Sequence, residues 1–182
     1  LSQFGGPILP GADSGNSMTL KVWKVSESVE YTVSYDVSTG SGNFDGLFTA
    51  IEEIYLVEPH FMVDIEETGE SSLFIFQDSI TSLEPLDQIG LFDSNGIIDS
   101  DGNTGEILVG SGFWTGSQLE IVAIHGVDLS QFGGPILPGA SEGSPLTLKV
   151  WKADEEMEYT VTYVVGTGSG SFDGLFTAIE EI

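Results

Sequence analysis

The segment LSQFGGPILPGA at Leu1–Ala12 returns letter for letter at Leu129–Ala140. The match runs on to TGSGNFDGLFTAIEEI at Thr39–Ile54 and TGSGSFDGLFTAIEEI at Thr167–Ile182, and 41 of the 54 paired positions are identical at an offset of 128. Both copies must satisfy the same packing requirements, so the duplication constrains the fold more than any local propensity. A solenoid repeat is about 20–50 residues long. A period of 128 is instead the size of an independent domain. The copies differ mainly at Asp13–Met18, at Val25–Val29 and at scattered polar positions such as Ser34/Thr162 and Asp36/Val164. Those are loop tips or one face of a strand, where change disturbs little packing. The expected organisation is domains in series, with one complete unit at Tyr55–Ile182 and residues 1–54 as the trailing part of a preceding unit.

Hydrophobic patterning within the complete unit is strand-like. Phe61, Val63 and Ile65 alternate with Met62, Asp64 and Glu66, the period of a half-buried strand. SSLFIFQDSI and QIGLFD (Gln88–Asp93) read as further strands. EILVGSGFWTG (Glu106–Gly116) and QLEIVAIHG (Gln118–Gly126) read as a hairpin, and the second, apolar on both faces, is expected to be central. SQFGGPILPGASEGSP is a Gly/Pro-rich crossover, followed by strands in PLTLKVWKAD, in MEYTVTYVV and in GLFTAIEEI. Met157, Tyr159, Val161, Tyr163 and Val165 share one face of the second of these. About eight short strands and no convincing helix predict an all-β fold, an antiparallel two-sheet β-sandwich repeated in tandem. The junction Ile54–Pro59 is short and not Gly/Ser-rich, which predicts a semi-stiff rod of units. Residues 1–54 then hold three trailing strands with open edges, either continuing a longer array or adding to a sheet edge of a neighbouring chain. One chain carries the leading strands once and the trailing strands twice, so exchange between copies leaves one trailing set over.

Charge narrows the partners. The chain has 29 acidic residues, four lysines and no arginine, a formal net charge of −25. All four lysines (Lys21, Lys24, Lys149, Lys152) fall in the two LKVWK segments. Nucleic acid and anionic lipid need clustered basic residues, so neither is an expected partner. An apolar content of 40% with 10% aromatics argues for a folded chain rather than an acidic disordered one. Cysteine is absent, which removes disulfides and thiolate metal sites. No apolar run approaches the length of a membrane span.

One stretch has the chemistry of a cation site. Asp93, Asn95, Asp99, Asp101, Asn103 and Glu106 place oxygen ligands at short intervals among glycines, and calcium takes six to eight such oxygens. The spacing is like that of DxDGN calcium loops but departs from the EF-hand, with Glu106 too close after Asp99 and no flanking helices. The alternative is a solvated acidic turn. Trp23, Trp114 and Trp151 are either core or unit–unit packing residues or exposed platforms for sugar stacking. His60 and His125 are isolated in sequence, and no catalytic motif such as GxSxG, HExxH or a P-loop is present, so no catalytic residue and no enzyme activity are assigned.

LDQIGLFD at Leu86–Asp93, EILVGSGFWTG, QLEIVAIHG and SPLTLKVWKAD together resemble a β-sandwich module of large secreted and cell-surface bacterial proteins. In that module a DEIGxFD segment precedes a VG strand, an apolar strand, a KxW strand and a closing strand, often in chains bearing a type IX secretion sorting domain. The similarity covers most of Pro59–Ile182. Gln88 stands where the module has Glu, and the loop Asp93–Glu106 is longer than its usual turn. The resemblance implies an extracellular, multi-domain, structural or adhesive role without enzyme activity. The leading expectation is a calcium-stabilised stalk or filament whose partners are adjacent repeats or copies of itself. The rival is a carbohydrate-binding accessory module of a secreted polysaccharide-degrading enzyme, which would bind surface glycans.

Overall fold

The computed structural model describes residues 11–56 and 58–182, and the chain divides into two compact units between Glu58 and Pro59. The first copy of LSQFGGPILPGA lies almost wholly outside the described residues. The first unit is one antiparallel sheet in the order β1–β2–β3, made of β1 (Leu20–Lys24), β2 (Val29–Thr39) and β3 (Ala50–Leu56). Strand β3 runs on through Tyr55 and Leu56, past the repeat boundary read from IEEI.

The second unit has two four-stranded sheets. One has the order β11–β10–β5–β6, from β5 (Gln88–Ile97), β6 (Thr104–Phe113), β10 (Leu146–Lys152) and β11 (Met157–Val161). The other has the order β12–β13–β4–β7, from β4 (Ser71–Phe76), β7 (Leu119–Ile124), β12 (Val164–Thr167) and β13 (Phe176–Glu181). A short pair, β8 (Val127–Asp128) with β9 (Ile136–Leu137), and a single 3-10 turn at Ser130–Phe132 fold the Gly/Pro-rich crossover. No α-helix occurs among the described residues.

Alternation explains what lies inside. Phe74 and Phe76 on β4, Leu146, Leu148 and Val150 on β10, and Ile121 and Ala123 on β7 are buried, while the residues between them are more exposed. With Ile89, Leu91, Val109, Trp114, Phe172 and Ile179 they form one core. The expected all-β class is therefore observed, and seven of the eight expected segments form strands, one of them as two. Several details differ. The β13–β4 pair is parallel, from Phe176↔Leu73 to Ile179↔Phe76, so that sheet is mixed. Hydrophobic period carries no information about strand direction, which is why the pair was not foreseen. Strands β6 and β7 lie in different sheets instead of forming a hairpin, and β7 is an edge strand with Val122 exposed. The close approach of these sheets uses Gly110, where a Cβ would stand 2.6 Å from the Val122 carbonyl.

MEYTVTYVV is not one strand in the second unit. It changes sheet at Thr162–Tyr163, leaving β11 in one layer and β12 in the other. The Tyr163 hydroxyl braces this corner by donating to the carbonyls of Leu146 (2.9 Å) and Gly170 (3.2 Å). Tyr35 makes the same pair of bonds, to Met18 and Gly42, although β2 stays continuous.

Phe61–Ile65 alternates in burial as expected, yet it is not a strand. The Gln88 side chain substitutes for a ladder neighbour. Its Oε1 accepts from the Phe61 N–H (2.9 Å), and its Nε2 donates to the Phe61 carbonyl (2.8 Å). The Phe61 ring then lies on Gly90, where a Cβ would come within 3.0 Å of it, and edge-on to Phe92 at 5.5 Å.

The repeat is congruent in register. Leu20↔Val33 through Lys24↔Val29 repeats as Leu148↔Val161 through Lys152↔Met157, and the irregularity at Asp36/Val37 repeats at Val164/Val165. Burial is not congruent. Phe172 is fully buried against Phe74, whereas its counterpart Phe44 is 47% exposed. Phe172→Ala should therefore cost about 3–5 kcal/mol of second-unit stability, and Phe44→Ala a third of that or less. Urea unfolding with hydrogen exchange resolved between β10 and β1 measures both.

Candidate functional site

The six oxygen-bearing residues of the acidic stretch lie along the β5–β6 hairpin, paired from Asp93↔Ile107 to Ile97↔Thr104. Asp99 and Asn103 meet at the tip. Asp99 Oδ1 accepts from the N–H groups of Asp101 (3.0 Å) and Asn103 (3.1 Å), and Oδ2 accepts from Asn103 Nδ2 (2.8 Å). The Asn103 side chain and then its backbone N–H hold the Asp99 carboxyl below its ordinary pKa. Asp93 is buried at the base of the hairpin, accepting from the N–H groups of Asn95 (2.8 Å) and Ser141 (2.7 Å). Glu106 is taken by Lys149 at 2.7 Å. Asn95 is exposed, and its carbonyl accepts from the Ser141 hydroxyl (3.1 Å). The fold thus gathers Asp99, Asp101 and Asn103 at one tip and directs Asp93 and Glu106 to other partners. Among the described residues no three His, Asp or Glu side chains are grouped to hold a metal ion. The glycine and aspartate spacing is accounted for locally by a tight turn capped by its own carboxylate.

The lysines form a stronger constellation. Lys152 Nζ meets Asp87 Oδ2 at 2.5 Å, and Asp87 is 1% exposed. Asp87 also accepts from the N–H groups of Glu84 (2.8 Å) and Ala153 (3.1 Å). Burial by itself would lower the Lys152 ammonium, but the hydrogen bond and charge of Asp87, with Asp154 and Glu84 beyond, outweigh it and raise the pKa. Lys149 stands over the Phe92 ring at 4.4 Å and lies between Glu106 and Glu158. Its pKa is raised first by the hydrogen bond it donates to Glu106. These contacts join β10 to segments more than forty residues earlier in the chain. Of the carboxylates in this set only Glu106 has a role assigned from the sequence, as a cation ligand. Asp87 stands in the sequence as the first residue of the DEIGxFD-like segment, with no role of its own assigned. Confinement of every lysine to LKVWK was the available signal.

The tryptophans separate by environment. Trp114 is 2% exposed in the core and offers no stacking face. Trp151 is half-buried, with the His60 ring stacked on it at 3.9 Å and 10°. His60 Nε2 lies 3.0 Å from Glu158, and that contact is the main cause of the lowered Glu158 pKa. Trp23, the counterpart of Trp151, is 58% exposed.

His125 borders an open cleft of about 500 Å³ that also includes Glu70, Asp128, Glu142 and Asp173. Its Nε2 is 2.8 Å from the hydroxyl of buried Ser72, which itself donates to the Gly174 carbonyl at 3.0 Å. Ser72 is thus a bridge between β4 and the loop before β13, with its proton committed to a carbonyl. Another cleft, of about 480 Å³, lies along Val63, Glu67, Glu70, Val109 and Val122. No helix among the described residues is long and apolar enough to cross a membrane. Compared with family models, curated proteins and solved structures, the chain gives no match.

Two consequences can be measured. Lys152→Met leaves a buried carboxylate without its counter-ion and should cost about 2–3 kcal/mol, softened by the two N–H groups that remain. Denaturant titration of the second unit reads this. Burial lowers the pKa of His125, against the opposing charges of Glu142, Glu70 and Asp93. The folded state therefore binds the proton less well than the unfolded state. The His125 contribution is intact above an ordinary pKa of about 6.5 and is lost as pH falls below it. His125→Gln should flatten this part of the thermal-stability profile between about pH 7 and pH 5.

Proposed function

We propose that the chain is part of an extracellular structural or adhesive protein in which sandwich units follow one another along a stalk or filament. The observation that carries this reading is the repeat: 41 of 54 residues recur, and the pairing of β1 with β2 returns in the same register as β10 with β11. A binding or catalytic role needs one good site, whereas near-identical copies in series give length and repeated contacts. The acidic surface fits an aqueous setting with enough salt to screen it, since like charges repel over about 10 Å at 0.1 M salt. The resemblance to modules of secreted bacterial proteins supports the same placement. The proposal does not include calcium, because Asp93 and Glu106 already have protein partners.

The carbohydrate-binding rival has one observation in its favour, the exposed ring of Trp23. The structural reading accounts for that ring as well, since its counterpart is covered by His60.

Negative-stain electron microscopy of chains carrying several units, in dilute and in physiological salt, tests the proposal. Extended rods or fibres with a regular repeat are expected, with or without calcium. Compact, dispersed particles under every condition would count against it, and glycan binding abolished by Trp23→Ala would favour the rival.

A further inference from the structure

The trailing segment pairs twice in one register, as one sheet in the first unit and divided between two sheets in the second, and among the described residues only the second copy has strands on its outer edges. In the second unit, β10 pairs through its free edge with β5, from Leu146↔Asp93 to Trp151↔Gln88, and β13 pairs through its free edge with β4. In the first unit the corresponding edges, those of β1 and β3, have no ladder partner among the described residues. The exposed side chains follow the same division. Leu148, Val150 and Ile179 are buried, while Leu20, Val22 and Ile51 are half-buried. Phe172 is buried and Trp151 is stacked under His60, while Phe44 and Trp23 stand open.

Charge says what covers this face. Lys149 and Lys152 meet carboxylates of the leading segment, Glu106 and Asp87. Lys21 and Lys24 have the same spacing on the same strand, yet they rest on carboxylates of their own hairpin. Lys21 holds Glu30 at 2.7 Å, and Lys24 holds Glu27. Both local pairs are solvent-exposed, and such pairs are worth at most about 1 kcal/mol, so they are easily exchanged. In a chain of net charge −25, a strand with two lysines and an open apolar face attracts a partner with two carboxylates at the matching interval.

We propose that the face and open edges of β1–β3 are the docking site for a leading segment of the same module, equivalent to residues 59–128 and belonging to another repeat, and that Lys21 and Lys24 set its register by exchanging their local carboxylates for that segment's Glu106 and Asp87 equivalents. A second copy of this chain is not the occupant, since its own leading segment is already engaged by β10–β13 and could dock only by uncovering them. The inference rests on the reading of units in series but fails separately from it. Rods could form while this face stays open, and the face could be filled in a protein that forms no rods.

The test uses the full chain and an extended chain in which residues 59–128 are repeated ahead of Leu1, both followed by hydrogen exchange. In the extended chain, protection of residues 20–24 and 50–54 should rise to the level of residues 148–152 and 178–182. Lys24→Met should then lower that protection as Lys152→Met does in the second unit, while changing little in the 182-residue chain. The second unit serves as the internal control for folding. The proposal is overturned if β1 and β3 exchange equally fast in both chains while β10 stays protected. Lys24→Met without effect in the extended chain would also overturn it, as would a discrete dimer of the 182-residue chain that already protects β1.

Discussion

The antiparallel joint between β5 and β10 is the contact on which the second unit depends. It brings two segments of sequence, separated by the long crossover, into one sheet, and it places Ile89 and Leu91 beside Leu148 and Val150 in the core. Burial of apolar surface supplies the driving force, while the lysine–carboxylate contacts at Asp87 and Glu106 select the register. A slip of one residue would turn every inward side chain of β10 outward and part both lysines from their carboxylates. Among the described residues the first unit has no strand beside β1 or outside β3, where the second unit has β5 and β4, and its repeat-equivalent residues are correspondingly more exposed.

The distribution of lysine makes sense in this light. An acidic surface keeps the chain soluble and discourages unspecific association. It also leaves few ways to hold two acidic segments together by charge. Concentrating the lysines on one strand per repeat resolves this in the second unit, where Lys149 and Lys152 sit at the meeting of β10 with earlier segments. Lys149 is held by an aromatic face as well as by two carboxylates, so its methylene stem and its charge both contribute to the joint.

Much of the fold was legible in the residues. SSLFIF and PLTLKVW read as strands and are strands, and turn-rich spacing indicated strands without helices. Features set by distant partners were not legible. The parallel direction of β13 against β4 leaves no periodic trace, and the sheet change at Thr162–Tyr163 occurs within an unbroken alternation. The Phe61 segment reads as a strand because its burial alternates like one, yet its backbone is paired by a glutamine side chain. At the acidic hairpin the ligand-like spacing was real, but Asp93 and Glu106 were directed to Ser141 and Lys149, residues whose proximity depends on tertiary pairing. Trp114, one of three ring candidates in sequence, is a core residue because β6 delivers it to the interior.

The parallel pairing of β4 with β13 has a mechanical consequence. The chain enters β4 at one end of the pair and leaves β13 at the other. Tension drawn between Pro59 and Ile182 therefore pulls two neighbouring strands lengthwise in opposite directions. The bonds from Phe176↔Leu73 to Ile179↔Phe76 are loaded side by side in shear, so they share the load, whereas peeling would break them one after another. Ahead of β4, the stacking of His60 on Trp151 and the amide clasp of Gln88 on Phe61 are further attachments along the pulled segment. A unit built this way yields little until the whole ladder gives.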